Sequence, residues 1–137
     1  MTIIGSCSAD FAWDVKELSL PAWGDDRLIE QGPVRIEVAG FSQTPRSMSL
    51  SLRASSNDLP SQHVYYRLLP REVVVLDAMK RSYRGTLEWS SFGGECCWEF
   101  EFPAAAAKAE RVGLRWVQEF RKIEIPFRFE NVPLPKR

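Results

Sequence analysis

The sequence predicts an all-β, mostly antiparallel sandwich of Ig-like size, with at most one short helical turn near residues 103–110. Three observations carry this. Apolar and polar residues alternate with period two along several stretches. Turn-forming residues interrupt them at the roughly 8–12-residue spacing of a sandwich. The 137 residues include 8 Phe, 5 Trp and 3 Tyr, enough to fill an interior between two sheets.

The strongest strands are Val34-Ile36-Val38, Met48-Leu50-Leu52, Cys96-Trp98-Phe100-Phe102 and Ile123-Ile125-Phe127-Phe129, each set interleaved with polar or charged residues. Side chains on a strand point alternately to its two faces, so each set is expected on the core side. Weaker alternation marks Phe11-Trp13-Val15, Val64-Tyr66-Leu68, Leu87-Trp89 and Val112-Leu114-Trp116. Val73–Leu76 is apolar on both parities and reads as a strand covered on both sides. Pro33, Pro45, Pro60 and Pro70 bound strands, and Gly93-Gly94 supplies the positive φ of a hairpin turn. Phe120 and Ile123 are three apart, which implies a bulge or tight turn near Arg121. Pro126 donates no ladder hydrogen bond, so its strand belongs at a sheet edge or carries a bulge there. The alanine-rich run Pro103–Glu110 is the one helical candidate, because alanine has the highest helix propensity and proline suits a first turn.

Charge excludes one class of function. Lysine plus arginine and aspartate plus glutamate both number 18, giving a net charge of zero and no electrostatic basis for a dedicated nucleic-acid binder. No run approaches the roughly 20 apolar residues of a membrane span. Three cysteines cannot all pair within one chain, and Cys96 and Cys97 point to opposite strand faces, so neither a disulfide framework nor a zinc site is expected. The six residues before Cys7 cannot hold the basic and apolar parts of a secretory signal. Ile4-Gly5-Ser6-Cys7 does have the order of a bacterial lipoprotein cleavage site, which would make Cys7 a lipid-anchor stub in a processed chain. The plainer expectation is a flexible end over residues 1–10.

Candidate sites are sparse. His63, the single histidine, lies near Asp58 and Ser61, but a triad needs convergence and an oxyanion hole that no local motif supplies; a solvent-facing strand histidine is the simpler reading. Glu99 and Glu101 share a strand face, where carboxylates of glycosidases also sit in pairs; cross-strand pairing with Arg111, Arg115, Lys122 or Arg128 accounts for them more simply. Lys80–Arg84 places Arg81 and Tyr83 together in a basic loop able to hold phosphates or stack bases, although a polar connection explains it as well. Asp25-Asp26 and Asn57-Asp58 read as turns rather than calcium ligands. Trp89, Trp98 and Trp116 follow inward parity, and Trp13 is expected to do the same. Trp23 sits in a turn-like segment, either as an anchor for a partner or sugar ring or as a flap over a sheet edge.

The stretch Arg121–Pro135, with Ile125-Pro126-Phe127 and Pro133-Leu134-Pro135, resembles the closing strand and tail of uncharacterised bacterial β-sandwich domains of exported or membrane-tethered proteins. The resemblance implies an extracytoplasmic, non-enzymatic role and carries over no catalytic residue.

The expected organisation is a flexible N-terminus over 1–10, one sandwich over 11–132 and a tail over 133–137. The expected function is a non-catalytic module that binds a protein partner or another copy of itself, with Trp23, Tyr65, Arg81 and Tyr83 as candidate contacts and no cofactor or metal. The alternatives are a carbohydrate-binding module that stacks sugars on Trp23 and Tyr65, and a hydrolase centred on His63.

Overall fold

Alternating side chains build two antiparallel sheets in the computed structural model, which describes residues 1–133. The five-stranded sheet is formed by β2 (Leu28–Gln31), β3 (Val34–Gln43), β4 (Ser47–Ser56), β7 (Thr86–Gly93) and β8 (Glu95–Pro103), in the order β2-β3-β4-β8-β7. The four-stranded sheet holds β1 (Ile3–Pro21), β5 (Val74–Asp77), β6 (Ser82–Arg84) and β9 (Ala109–Phe129), in the order β1-β9-β5-β6. The fold is therefore the expected all-β antiparallel sandwich. Gly94, at φ 95°, turns the β7–β8 hairpin.

Between the sheets the predicted parities hold for three of the four strong strands. Val34, Ile36 and Val38, then Met48, Leu50 and Leu52, then Cys96, Trp98, Phe100 and Phe102 are all buried. Opposite them lie Leu20, Val75, Val112, Leu114 and Trp116. Gly85 is required where the chain crosses the core edge, because a Cβ there would stand 2.8 Å from the Phe102 ring.

Several expectations are corrected. Residues 61–65 form a short helix, α1 (Ser61–Tyr65), instead of a strand. Val64 and Leu68 are buried four residues apart, a helical spacing that mimics alternation when an apolar Tyr66 lies between them. No helix forms over 103–110, since side chains compete for its backbone. The Gln43 amide accepts from the Ala109 N–H at 2.8 Å and donates to the Ala107 carbonyl at 3.0 Å, while the Tyr83 hydroxyl accepts from the Ala106 N–H. Along residues 73–76, Val73 and Val75 are buried but Val74 and Leu76 are only half-buried, so β5 is covered fully on one side. Neither a bulge nor a turn lies at Arg121: the register runs unbroken from Ala12 opposite Phe120 to Ile3 opposite Phe129, so Phe120 and Ile123 face opposite sides of one regular ladder, and the irregularity sits earlier, where shifts on both sides of Asp14 leave Trp13 on β1 and Gln118 on β9 without register partners.

The largest correction concerns the N-terminus. Residues 3–10 are not a loose end but extend the strand that Phe11 was expected to begin, so that residues 3–12 pair throughout with residues 120–129. Pairing with β5 ends at Gly113, and the last partner on that side of β9 is the Arg67–Leu68 segment beside Trp116 and Val117. Beyond it, β1 and β9 continue alone as a two-stranded arm about 30 Å long at the usual rise per residue. Pro126 lies on the free edge of this arm. Of the predicted tail, residues 134–137 lie outside the described residues.

Candidate interaction surface

Cross-strand partners in an antiparallel ladder point to the same side, so the register fixes both faces of the arm. One face carries Ile3, Gly5, Cys7, Ala9 and Phe11 with their partners Phe129, Phe127, Ile125, Ile123 and Arg121. The other carries Ile4, Ser6, Ser8, Asp10 and Ala12 with Arg128, Pro126, Glu124, Lys122 and Phe120. The first face is apolar except at its base, where the Arg121 guanidinium lies 3.8 Å from the Trp13 ring centroid, a cation–π contact. Phe127 lies over Gly5 with its ring centroid 5.6 Å from that of Phe129 and inclined to it by 47°, making a ridged aromatic plate.

This plate faces solvent. Ile123, Ile125 and Phe129 are 45%, 49% and 56% exposed, against an expected core position for all three. Alternation was read correctly; the second sheet ends before it reaches them. Trp13, 52% exposed, is displaced outward by the bulge.

The predicted contact residues are dispersed, and most are already engaged. Trp23 packs edge-on against Phe41, donates its indole N–H to the Ala109 carbonyl at 2.7 Å and lies under the Lys108 ammonium. It is a flap that holds the alanine-rich loop. Tyr65 stacks on the buried Trp98 at 5.7 Å, and its hydroxyl shares a hydrogen bond with Ser90. Tyr83 donates to the buried Asp77 carboxylate at 2.8 Å. Arg81 is exposed, but its backbone N–H donates to Asp77 as well.

Sequence reading missed Asp77. Burial acts against its charge, yet hydrogen bonds from Arg81, Tyr83 and Met79, together with the Arg81 charge, outweigh this and hold its pKa below the ordinary value. It caps the β5–β6 turn, where Lys80 takes φ 61°. No sequence motif marks such a role, although an Asp preceding a polar turn fits it.

The other chemical candidates also fail to converge. His63 is exposed on α1 beside a cleft of about 620 Å³ at the base of the arm, with Asp10, Arg67 and Glu119 on its walls. Asp58 and Ser61 make their hydrogen bonds through their backbones, to Ser56 and Cys96 respectively. Arg67 donates to the carbonyls of Val117 and Gln118 and lies over Phe120, fastening the α1 segment to the arm's root. Glu99 and Glu101 lie opposite Ser51 and Ser49, not the predicted arginines, because those belong to the other sheet. Cys96 is buried, its thiol donates to the Ser61 carbonyl, and desolvation and the neighbouring Cys97 push its pKa up to about 11.

A further exposed aromatic was misassigned. A bulge at Glu88 turns Trp89 to the outer face of the five-stranded sheet, opposite Glu99, where it is 52% exposed. With Ser51, Arg53, Cys97 and Glu99 it lines an open groove of about 230 Å³. Among the described residues no group of three or more His, Cys, Asp or Glu could hold a metal ion, and no helix is long and apolar enough to cross a membrane. Comparison with protein-family models, with curated proteins and with solved structures finds no match to this chain.

Proposed function

We propose that the protein is a non-catalytic interaction module whose binding element is the β1–β9 arm. The observation that carries this is the uncovered apolar face from Ile3 and Phe129 to Phe11 and Ile123. A two-stranded ribbon alone is marginally stable in water; three or more strands, or packing against another element, are needed to hold it. An exposed contiguous apolar patch of this kind marks an interaction site on a soluble domain. The side chains able to do chemistry are scattered or hydrogen-bonded to structure, which supports a binding role over catalysis. The test is the double substitution Ile123→Glu with Ile125→Glu, followed by melting and association measurements. The reading expects the sandwich to melt within a few degrees of the parent while association is lost. A variant that still associates as the parent does would refute it.

A second reading rests on Trp89. An exposed ring on a sheet face beside Ser51, Arg53 and Glu99 is a surface on which a sugar ring can stack and hydrogen-bond. It transfers the carbohydrate alternative from Trp23 and Tyr65, whose rings are engaged, to the outer face of the five-stranded sheet. Titration with soluble glycans should quench tryptophan fluorescence in the parent and not in Trp89→Ala; quenching that survives the substitution removes this reading.

A further inference from the structure

We infer that the cleft between the α1 segment and the root of the arm binds a small zwitterion with an apolar body, a free amino acid or a dipeptide. The site is separate from the arm's apolar plate, because the register sets Asp10 and Phe120 on the ribbon's other face.

The cleft has the size of a small-molecule site, about 620 Å³. Its walls come from different elements and differ in charge. His63 and Arg67 stand on the α1 side, whereas Asp10 of β1 and Glu119 of β9 stand on the arm. Each wall also contributes a ring, Tyr66 and Phe120, which are 55% and 38% exposed. A molecule that spans the cleft thus meets bases on one side, acids on the other and aromatic carbon from both.

Arg67 and Asp10 keep their charges available. Among the described residues neither enters an ion pair, although Lys122 is the register partner of Asp10. Glu119 holds Arg121 at 3.5 Å. In Arg67, Nη1 donates to the Val117 and Gln118 carbonyls at 3.0 and 2.6 Å. Its Nε is the one buried side-chain nitrogen or oxygen without a hydrogen-bond partner among the described residues. Buried donors are rarely left orphaned in folded proteins. Nε and Nη2 form the guanidinium edge that grips a carboxylate through two parallel bonds. A ligand carboxylate docked on Nη2, with Nε beside it, supplies the acceptor and the counter-charge together. Burial already works against this cation and lowers its pKa, so an anion there is favoured.

The facing wall decides what else the ligand carries. A plain carboxylate would bring its charge toward Asp10 and Glu119 uncompensated; an ammonium group at that wall turns the repulsion into attraction. An amine alone meets the same penalty from Arg67. Only a molecule with both charges satisfies both walls, and Tyr66 and Phe120 favour an apolar body on it.

The test is titration of the intact chain with L-phenylalanine and with glycyl-phenylalanine, followed by amide nitrogen–proton shifts. Two analogues run beside them: 3-phenylpropanoate, which lacks the ammonium, and phenethylamine, which lacks the carboxylate. We expect saturable shifts at residues 10, 63–67 and 118–120 from at least one zwitterion below about 5 mM, with both analogues at least about tenfold weaker. Whichever zwitterion binds tighter tells the free amino acid from the dipeptide. Asp10→Asn, at an exposed position that leaves the Arg67 backbone bonds in place, should weaken the zwitterion about tenfold and leave 3-phenylpropanoate no weaker. No saturable shift from either zwitterion, or shifts confined to other residues, overturns the site. Analogues that bind as tightly as the zwitterions, or a zwitterion affinity that Asp10→Asn leaves unchanged, overturn the assignment of opposite charges to the two walls.

Discussion

Phe127 lies across Gly5, its register partner on the arm, so closely that a Cβ at position 5 would stand 2.6 Å from the ring's Cζ. The glycine is needed for what its neighbour covers rather than for its own backbone. Gly5→Val should lift the ring off the ribbon and loosen the arm. We expect the arm to lose about 1–3 kcal/mol of local stability, the usual cost of overpacking, with the melting of the sandwich body almost unchanged. Hydrogen exchange at residues 3–12 and 120–129 and thermal unfolding of the same variant check both halves.

The core and the outer face should respond very differently to the loss of a tryptophan. Trp98 is 1% exposed and stacked on Tyr65, so Trp98→Ala should cost about 3–5 kcal/mol in urea unfolding. Trp89 is a surface residue, and Trp89→Ala should change stability by no more than about 0.5 kcal/mol.

Asp77 makes stability depend on acid. Its pKa is lowered in the folded chain, so its contribution is present above the pKa of the unfolded carboxyl and is lost as pH falls through the folded value. Asp77→Asn should therefore melt below the parent at pH 7, and the gap should close as both are acidified. A gap constant from neutral to acid pH would show that the carboxylate's charge is not what stabilises the turn.

Cysteine reactivity should divide by burial. With the arm's face free, Cys7 is exposed and should label readily with a thiol reagent at pH 8, whereas Cys96, with its pKa near 11, should label only on unfolding. The raised value favours the thiol in the folded state. Its stabilising effect is thus complete below the unfolded thiol's pKa and fades as pH rises toward 11. Cys96→Ala should flatten the alkaline side of the stability profile.

The sandwich was legible in the sequence wherever one face was buried and the other wet along an uninterrupted strand, as in β3, β4 and β8. It became illegible at irregularities. A bulge at Glu88 reversed Trp89, and paired shifts around Asp14 exposed Trp13, because one extra residue moves every following side chain to the other face. The helix at Ser61–Tyr65 hid behind Val64, Tyr66 and Leu68, whose spacing satisfies both periods. The arm was hidden for a different reason. Ile123, Ile125, Phe127 and Phe129 read as core because alternation shows which face is apolar and not whether anything lies against it. Their partners Ile3 to Ala9 read as a loose end because Gly5, Ser6, Cys7 and Ser8 have little strand character of their own.

Amide hydrogen exchange of the intact chain, free and associated, tests the arm as the binding element most directly. Protection at residues 3–12 and 120–129 should rise on association while that of the sandwich strands stays constant. Arm amides equally protected in both states would contradict a binding role for the arm.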